Sequence, residues 1–258
     1  TLFPYTTLFR SGSSPVRLQP CSAWGRTGRV LFPAQLVQIA GVVDWEEAGM
    51  LLSAGCTCLG FPLRLPVNLT DHSEAEARAI IRRLPAEVLP VLICYEKNAL
   101  EIDRFASFLG VAAVQLHGAI ELGELAALRR RRPDLLLIKS LIVHPGLSLP
   151  LAVQCLRRQM PYIDAFILDS YDAASGATGA TGLVHDWSIS RALVQESSRP
   201  VILAGGLTPA NVGNAIISVR PAGVDAHTGL EGPDGRKDPA LVRAFLQAAG
   251  TAFQTLCP

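Results

Sequence analysis

Short apolar runs rich in Val, Ile and Leu alternate along the chain with longer segments in which apolar residues recur every three or four positions. The runs at 36–40, 57–61, 88–94, 112–116, 135–140 and 163–168, and those opening at Pro200 and Pro221, predict β-strands. The segments at 45–54, 73–84, 100–109, 121–130, 147–158, 187–195, 209–218 and 239–249 predict helices. In the second of these, Ala77, Ile80, Ile81 and Leu84 fall on one face. Asp44, Asp186, Thr208 and Asp238 stand where an N-cap side chain would satisfy the first free amides of a helix.

The strands show little polar alternation, the mark of parallel strands buried on both faces. Eight strand–helix units in succession predict a single-domain α/β fold, a closed (β/α)8 TIM-type barrel over residues 36–250, with 251–258 as a C-terminal tail. A doubly wound open sheet is the competing architecture. It normally brings a nucleotide-binding glycine loop after the first strand, and Ala40-Gly41-Val42-Val43-Asp44 has none.

Residues 1–35 stand apart. No acidic side chain occurs before Asp44, while Arg10, Arg17, Arg26 and Arg29 are scattered among Ser, Pro and Gly without a period. An Arg- and Ser-rich, acid-poor start is also the composition of a transit peptide, and TLFPYTTLFRS resembles a translated sequencing-adapter remnant. The stretch is expected to be a disordered leader or a sequence artefact. Over all 258 residues, 23 basic against 22 acidic side chains leave a formal charge of +1, which gives no electrostatic footprint for nucleic acid. No apolar run approaches the length of a membrane span. The six cysteines, Cys21, Cys56, Cys58, Cys94, Cys155 and Cys257, lack paired metal spacing and predict free buried thiols in a reducing cytoplasm. No cofactor and no metal are expected, and the sequence leaves the oligomeric state open.

In a parallel barrel, function sits where strands end. Asp169 closes an apolar run and precedes a Gly-rich loop; burial would raise its pKa towards that of a general acid, the alternative being a cap on the loop backbone. Gly205 and Gly206 end the seventh strand and let the backbone approach an anion, while a following helix would direct its positive end there. His117 is either a hydrogen-bonded strand end or a catalytic group, and Arg64 either a carboxylate clamp or an exposed loop residue. Lys139 reads as an inward charge paired within the barrel or as a Schiff-base lysine.

These residues accumulate into a resemblance. Gln115-Leu116-His117-Gly118, Asp169 with the run ATGATGLVHDW at 177–187, LAGGLTPANV at 203–212, and GVDAHTGLE at 223–231 ahead of Gly235-Arg236-Lys237-Asp238 resemble the phosphoribosylanthranilate isomerase family of tryptophan biosynthesis, in order and interval, over residues 36–249. The resemblance implies an Amadori rearrangement of a phosphorylated aminosugar: an acid opens the furanose ring, a base removes the proton from C2, and the enolamine becomes a ketose. It implies Asp169 as the acid and Gly205, Gly206, Thr228 and Gly229 as the phosphate cradle; Arg64 and His117 are the further candidate substrate contacts. The family's base is a cysteine ending the first strand in a Lys-Ile-Cys-Gly pattern, and this chain reads Gln38-Ile39-Ala40-Gly41. The family's arginine in a Ser-Pro-Arg turn is replaced by the stretch Phe61-Pro62-Leu63-Arg64-Leu65-Pro66. His227, where the family has a serine, is the candidate substitute base, with phosphate binding as its other role; Cys58 and Cys94 are the remaining candidates. The alternatives to an active isomerase are a catalytically silent paralogue that binds a phosphorylated metabolite, or another reaction on the same phosphate site.

Overall fold

The computed structural model describes residues 32–64, 73–144, 146–170 and 186–256. Eight strands pair in parallel, each with its sequence neighbour, and β1 closes on β8. They are β1 Leu36–Ala40, β2 Cys58–Leu63, β3 Leu89–Cys94, β4 Ala113–Leu116, β5 Leu136–Val143, β6 Ala165–Ser170, β7 Val201–Leu203 and β8 Gly223–Ala226. Between and after them run α1 Trp45–Ser53, α2 Glu74–Ile81, α3 Ala99–Leu109, α4 Leu122–Arg131, α5 Leu149–Gln159, α6 Trp187–Glu196, α7 Val212–Val219 and α8 Pro239–Leu256. The closed (β/α)8 barrel expected from the alternation is the fold of the chain.

Local chemistry sets the helix starts. Asp44 accepts from Glu47 N at 2.8 Å, Asp186 from Ser188 N at 2.8 Å, and Asp238 from Ala240 N and Leu241 N at 2.6 and 3.0 Å. Thr208 is not a helix cap. Asn211 turns back on it, accepting from Thr208 N at 2.8 Å and donating to Gly206 O at 2.9 Å, so α7 begins at Val212 and the segment between belongs to the glycine loop.

Other boundaries move outward where pairing or burial extends an element. β2 reaches Leu63 because Pro62 and Leu63 find partners in Ile93 and Cys94, and β5 reaches Val143 opposite Ser170. α8 passes Ala249 to Leu256 because Ala252 and Phe253 are buried against the barrel, so most of the expected tail is helix. At the other end Phe32, inside the expected leader, packs on the lumen cluster; residues 1–31 lie outside the described residues.

The core has two parts. Leu59, Phe61, Leu92, Val114, Leu137, Phe166, Leu203 and Val224 face the helices in one large cluster. Leu36, Ala40, Cys58, Val91, Ile93, Ile138, Ile167, Ile202 and Ala204 fill the lumen. Alternation by two along each strand sorts every polar strand residue onto one of these faces.

Candidate active site

Six of the predicted site residues gather at the carboxyl ends of β6, β7 and β8. Asp169, Gly205, Gly206, His227, Thr228 and Gly229 line one cavity of about 20 Å³, together with Asp225, Leu207 and Ala226. That is room for roughly one water. Gly205 and Gly206 have φ of 87° and 63°, and a Cβ on Gly205 would come within 2.9 Å of the Ser170 side chain. A Cβ on Gly229 would lie 2.0 Å from Leu207 O. Only glycine lets the two loops meet this closely. The turn Thr228–Leu230 begins directly after His227 and brings a short helical start to the same rim.

Asp169 is 5% exposed and its carboxylate accepts from Ser170 N at 2.8 Å. Burial pushes its pKa up to about 6 against that hydrogen bond, so a larger share stays protonated towards neutral pH than in an ordinary aspartate. Asp225, paired in register with Gln38, is driven up to about 7 by burial and then by the nearby Asp169 charge. Its Oδ1 is buried with no hydrogen-bond partner among the described residues. Along the chain Asp225 is only one residue of the run GVDA; the neighbouring Asp169 and Gln38, remote in sequence, give it this character.

His227 stands over β1 rather than out in solvent. Its ring occupies the space beside the Cα of Gly41, and its Nε2 is 3.3 Å from Glu231 Oε1. Glu231 also accepts from the buried Lys237 Nζ at 2.8 Å. Neither Glu231 nor Lys237 was singled out in the sequence as a chemical group.

The remaining candidates take structural positions. His117 Nδ1 lies 3.1 Å from Ser140 Oγ, at the end of a chain that runs through Gln115 Nε2 (3.5 Å) to Gln38, whose Nε2 donates to Gln115 Oε1 at 3.0 Å. Arg64, at the end of β2 with φ of 54°, is gripped by Glu74 at 2.7 and 3.3 Å and by Glu96 at 3.0 Å, and it stacks 4.0 Å over Phe105. Its guanidinium is already occupied by two carboxylates. Lys139 does not point inward, and among the described residues it pairs with no carboxylate. It follows the lumen-facing Ile138 and so points to the helix side, where Nζ donates to Leu116 O and Ser140 O at 3.1 and 2.7 Å, and burial lowers its pKa to about 8. That geometry withdraws it from a Schiff base in the mouth. Cys94 likewise faces the helices, its thiol pushed up to about 12 by burial; Cys58 faces the lumen with Sγ 3.6 Å from Gln38 Oε1. Cys56, Cys58 and Cys94 are free and buried as expected, whereas Cys155 is exposed; Cys21 and Cys257 lie outside the described residues. Among the described residues no cluster of His, Cys, Asp or Glu could hold a metal. No helix among them is long and apolar enough to cross a membrane.

Comparison with known proteins bears on the family of the chain. Residues 63–248 match the family model described as N-(5'-phosphoribosyl)anthranilate isomerase. The chain belongs to that family. It is 39% identical over 219 residues to N-(5'-phosphoribosyl)anthranilate isomerase 2 of Methanosarcina mazei, covering 84% of this chain and 95% of the relative. With the enzyme of Desulforudis audaxviator the identity is 38%, over 84% of this chain and 99% of the relative. The phosphoribosyl anthranilate isomerase of Thermotoga maritima superposes with a TM-score of 0.71 at 28% identity, covering 84% and 99% of the two chains. Another solved isomerase, in complex with reduced 1-(o-carboxyphenylamino)-1-deoxyribulose 5-phosphate, superposes at 0.69 with 27% identity, again over 84% and 99%.

Proposed function

We propose that the chain isomerises N-(5'-phosphoribosyl)anthranilate in the cytoplasm by an Amadori rearrangement. The observation that carries this reading is the convergence of a buried, protonatable Asp169, two glycine-bearing loops and an imidazole on one cavity at the mouth of a barrel of this family.

In this mechanism the phosphate sits between Gly205–Gly206 and Thr228–Gly229, whose backbones approach without side chains in the way. Asp169 protonates the furanose ring oxygen as the ring opens, its raised pKa keeping a proton available. His227 removes the proton from C2, and the resulting enolamine tautomerises to the ketose. Ala40 places a methyl where the family motif has its thiol, so proton removal has to come from another element. The anthranilate carboxylate competes with Glu74 and Glu96 for Arg64; His117, held by Ser140, borders the mouth from β4 without taking part in proton transfer.

The test is direct. With purified protein and N-(5'-phosphoribosyl)anthranilate, loss of substrate fluorescence is expected, and Asp169→Asn should lower kcat by about 10²-fold or more while phosphate affinity stays. A protein that binds the substrate but never consumes it would instead be the silent paralogue, which the methyl of Ala40 favours.

A further inference from the structure

Two carboxyls share one cavity at the mouth. Asp169 comes from β6 and Asp225 from β8, with β7 between them, and both line the space of about 20 Å³ that the glycine loops close. They are 5% and 8% exposed. Asp169 has a donor of its own, Ser170 N at 2.8 Å from Oδ1, and a bond of this kind favours the anion. Asp225 is worse provided. Its Oδ1 is buried with no hydrogen-bond partner among the described residues, and Gln38, opposite it in register on β1, brings an amide rather than a cation.

A buried carboxyl so placed keeps its proton, because the bare anion would be left with too little to replace water. When one of two neighbouring carboxyls ionises, its charge also opposes ionisation of the other, and the pair gives up its protons in two separated steps. The Ser170 bond marks Asp169 as the member that ionises first and leaves the proton on Asp225, where burial and the Asp169 charge both hold it. Few other titratable groups act on the pair among the described residues. Lys237 draws Asp225 the opposite way, the Cys56 thiol is itself raised by the Asp225 charge, Cys58 lies 3.6 Å from Gln38 Oε1, and His227 and Glu231 stand at the rim. Around Asp169, β5 sets Ile142 in register and the loop after β7 adds Gly205 and Gly206, none of which titrates.

We propose that Asp225 is the positioning residue for the acid: it shares one proton with Asp169 across the cavity and so keeps the acid loaded at neutral pH. The role rests on the isomerase reading for its chemistry. Asp169 gives its proton to the ring oxygen as the C1–O bond breaks, and the electron pair of that bond goes to the oxygen. The proton on Asp225 then passes to the Asp169 carboxylate and leaves the charge on Asp225. When the ketose forms, the proton released by the enol oxygen returns to the pair, which therefore lends one proton and regains one in each turnover. The proton that His227 takes from C2 is given back at C1, so the isomerisation consumes none.

Carboxyl-carbon NMR across pH on the full chain, in the wild type, Asp169→Asn and Asp225→Asn, separates the outcomes. In the wild type Asp225 should titrate with a midpoint of about 7, far above the ordinary aspartate value of about 3.9, and each carboxyl should respond to the step of the other. Asp169→Asn should lower the Asp225 midpoint by about one pH unit, because it removes the neighbouring anion. Asp225→Asn should leave Asp169 with a single step, and the basic limb of kcat/KM should move down by about one pH unit. An Asp225 signal that titrates in the ordinary carboxyl range, readable in the wild type alone, overturns the proposal, as does a midpoint that Asp169→Asn leaves in place. So does a rate that Asp225→Asn lowers equally at every pH, the mark of a purely structural role. Coupled titration without turnover would sink the isomerase reading and leave the carboxyl pair standing. Turnover with two carboxyls that titrate independently would do the reverse.

Discussion

Under the proposed mechanism, activity turns on Ala40. It faces the lumen, buried next to Gly60, at the end of β1. If the site is otherwise that of the family, a thiol restored there should take over proton removal. Ala40→Cys is therefore expected to raise turnover by roughly 10²-fold, within the range that a placed proton-transfer group supplies. In the Ala40→Cys background, His227→Asn should then have little effect, whereas in the wild-type background it should abolish turnover. Fluorescence assays of the four proteins check this. At this scale the sequence carried residue types but not company. Asp169, Gly205 and Gly206 were legible because a chain-local pattern, an apolar run breaking at a carboxylate or a glycine pair, marks a strand end. The pairing of His227 with Gly41 was not, since 186 positions separate them and only closure of β8 on β1 brings them together. Lys139 was misread for a related reason: a strand buried on both faces hides which neighbour points inward, and one step of register moves a side chain to the other layer.

The elements most informative about function are the two loops after β7 and β8. Each is shaped by what glycine permits, so the proposed anion site should be sensitive there and the barrel should not. Inorganic phosphate is expected to raise the melting temperature of the wild type in a saturable way, by about 2.7 kcal/mol of stabilisation at a hundredfold excess over Kd. Gly206→Asp, which sets a carboxylate against the anion at a position of positive φ, should abolish the shift; an equal shift in both proteins would remove the cradle from this face. The loop itself differs from its sequence reading because Asn211, rather than Thr208, closes it. A Thr-Pro-Ala-Asn string offers two capping residues, and the sequence cannot say which turns inward. Helix and strand ends elsewhere followed tertiary burial, as at Phe253 in α8 and at Leu63 in β2, which local propensity does not report.

For the molecule as a whole, the polar mouth works against the stability of the barrel. The lumen holds Gln38, Gln115, Asp169 and Asp225 among apolar residues, and two of these are carboxylates whose pKa burial raises above 3.8. A carboxylate with a folded pKa above its unfolded one binds more protons in the native state, so its contribution is fully favourable below the unfolded pKa and is lost as pH rises through the folded pKa. For Asp169 and Asp225 that window runs from about pH 4 to about 7. Two like charges side by side in the lumen should make the protein less stable at pH 8 than at pH 5 for this reason alone. Asp225→Asn keeps the shape and removes one charge beside Asp169. Its melting temperature should exceed that of the wild type at pH 8, by a few degrees on the scale of about 1 to 2 kcal/mol for a protein of this size, and the difference should shrink towards pH 5 as Asp225 becomes protonated in the wild type. Calorimetry across that range decides it. A gain that is the same at every pH would mean that the asparagine improves packing rather than removing a charge, and a loss at pH 8 would mean that the ionised Asp225 is held by groups that stabilise it.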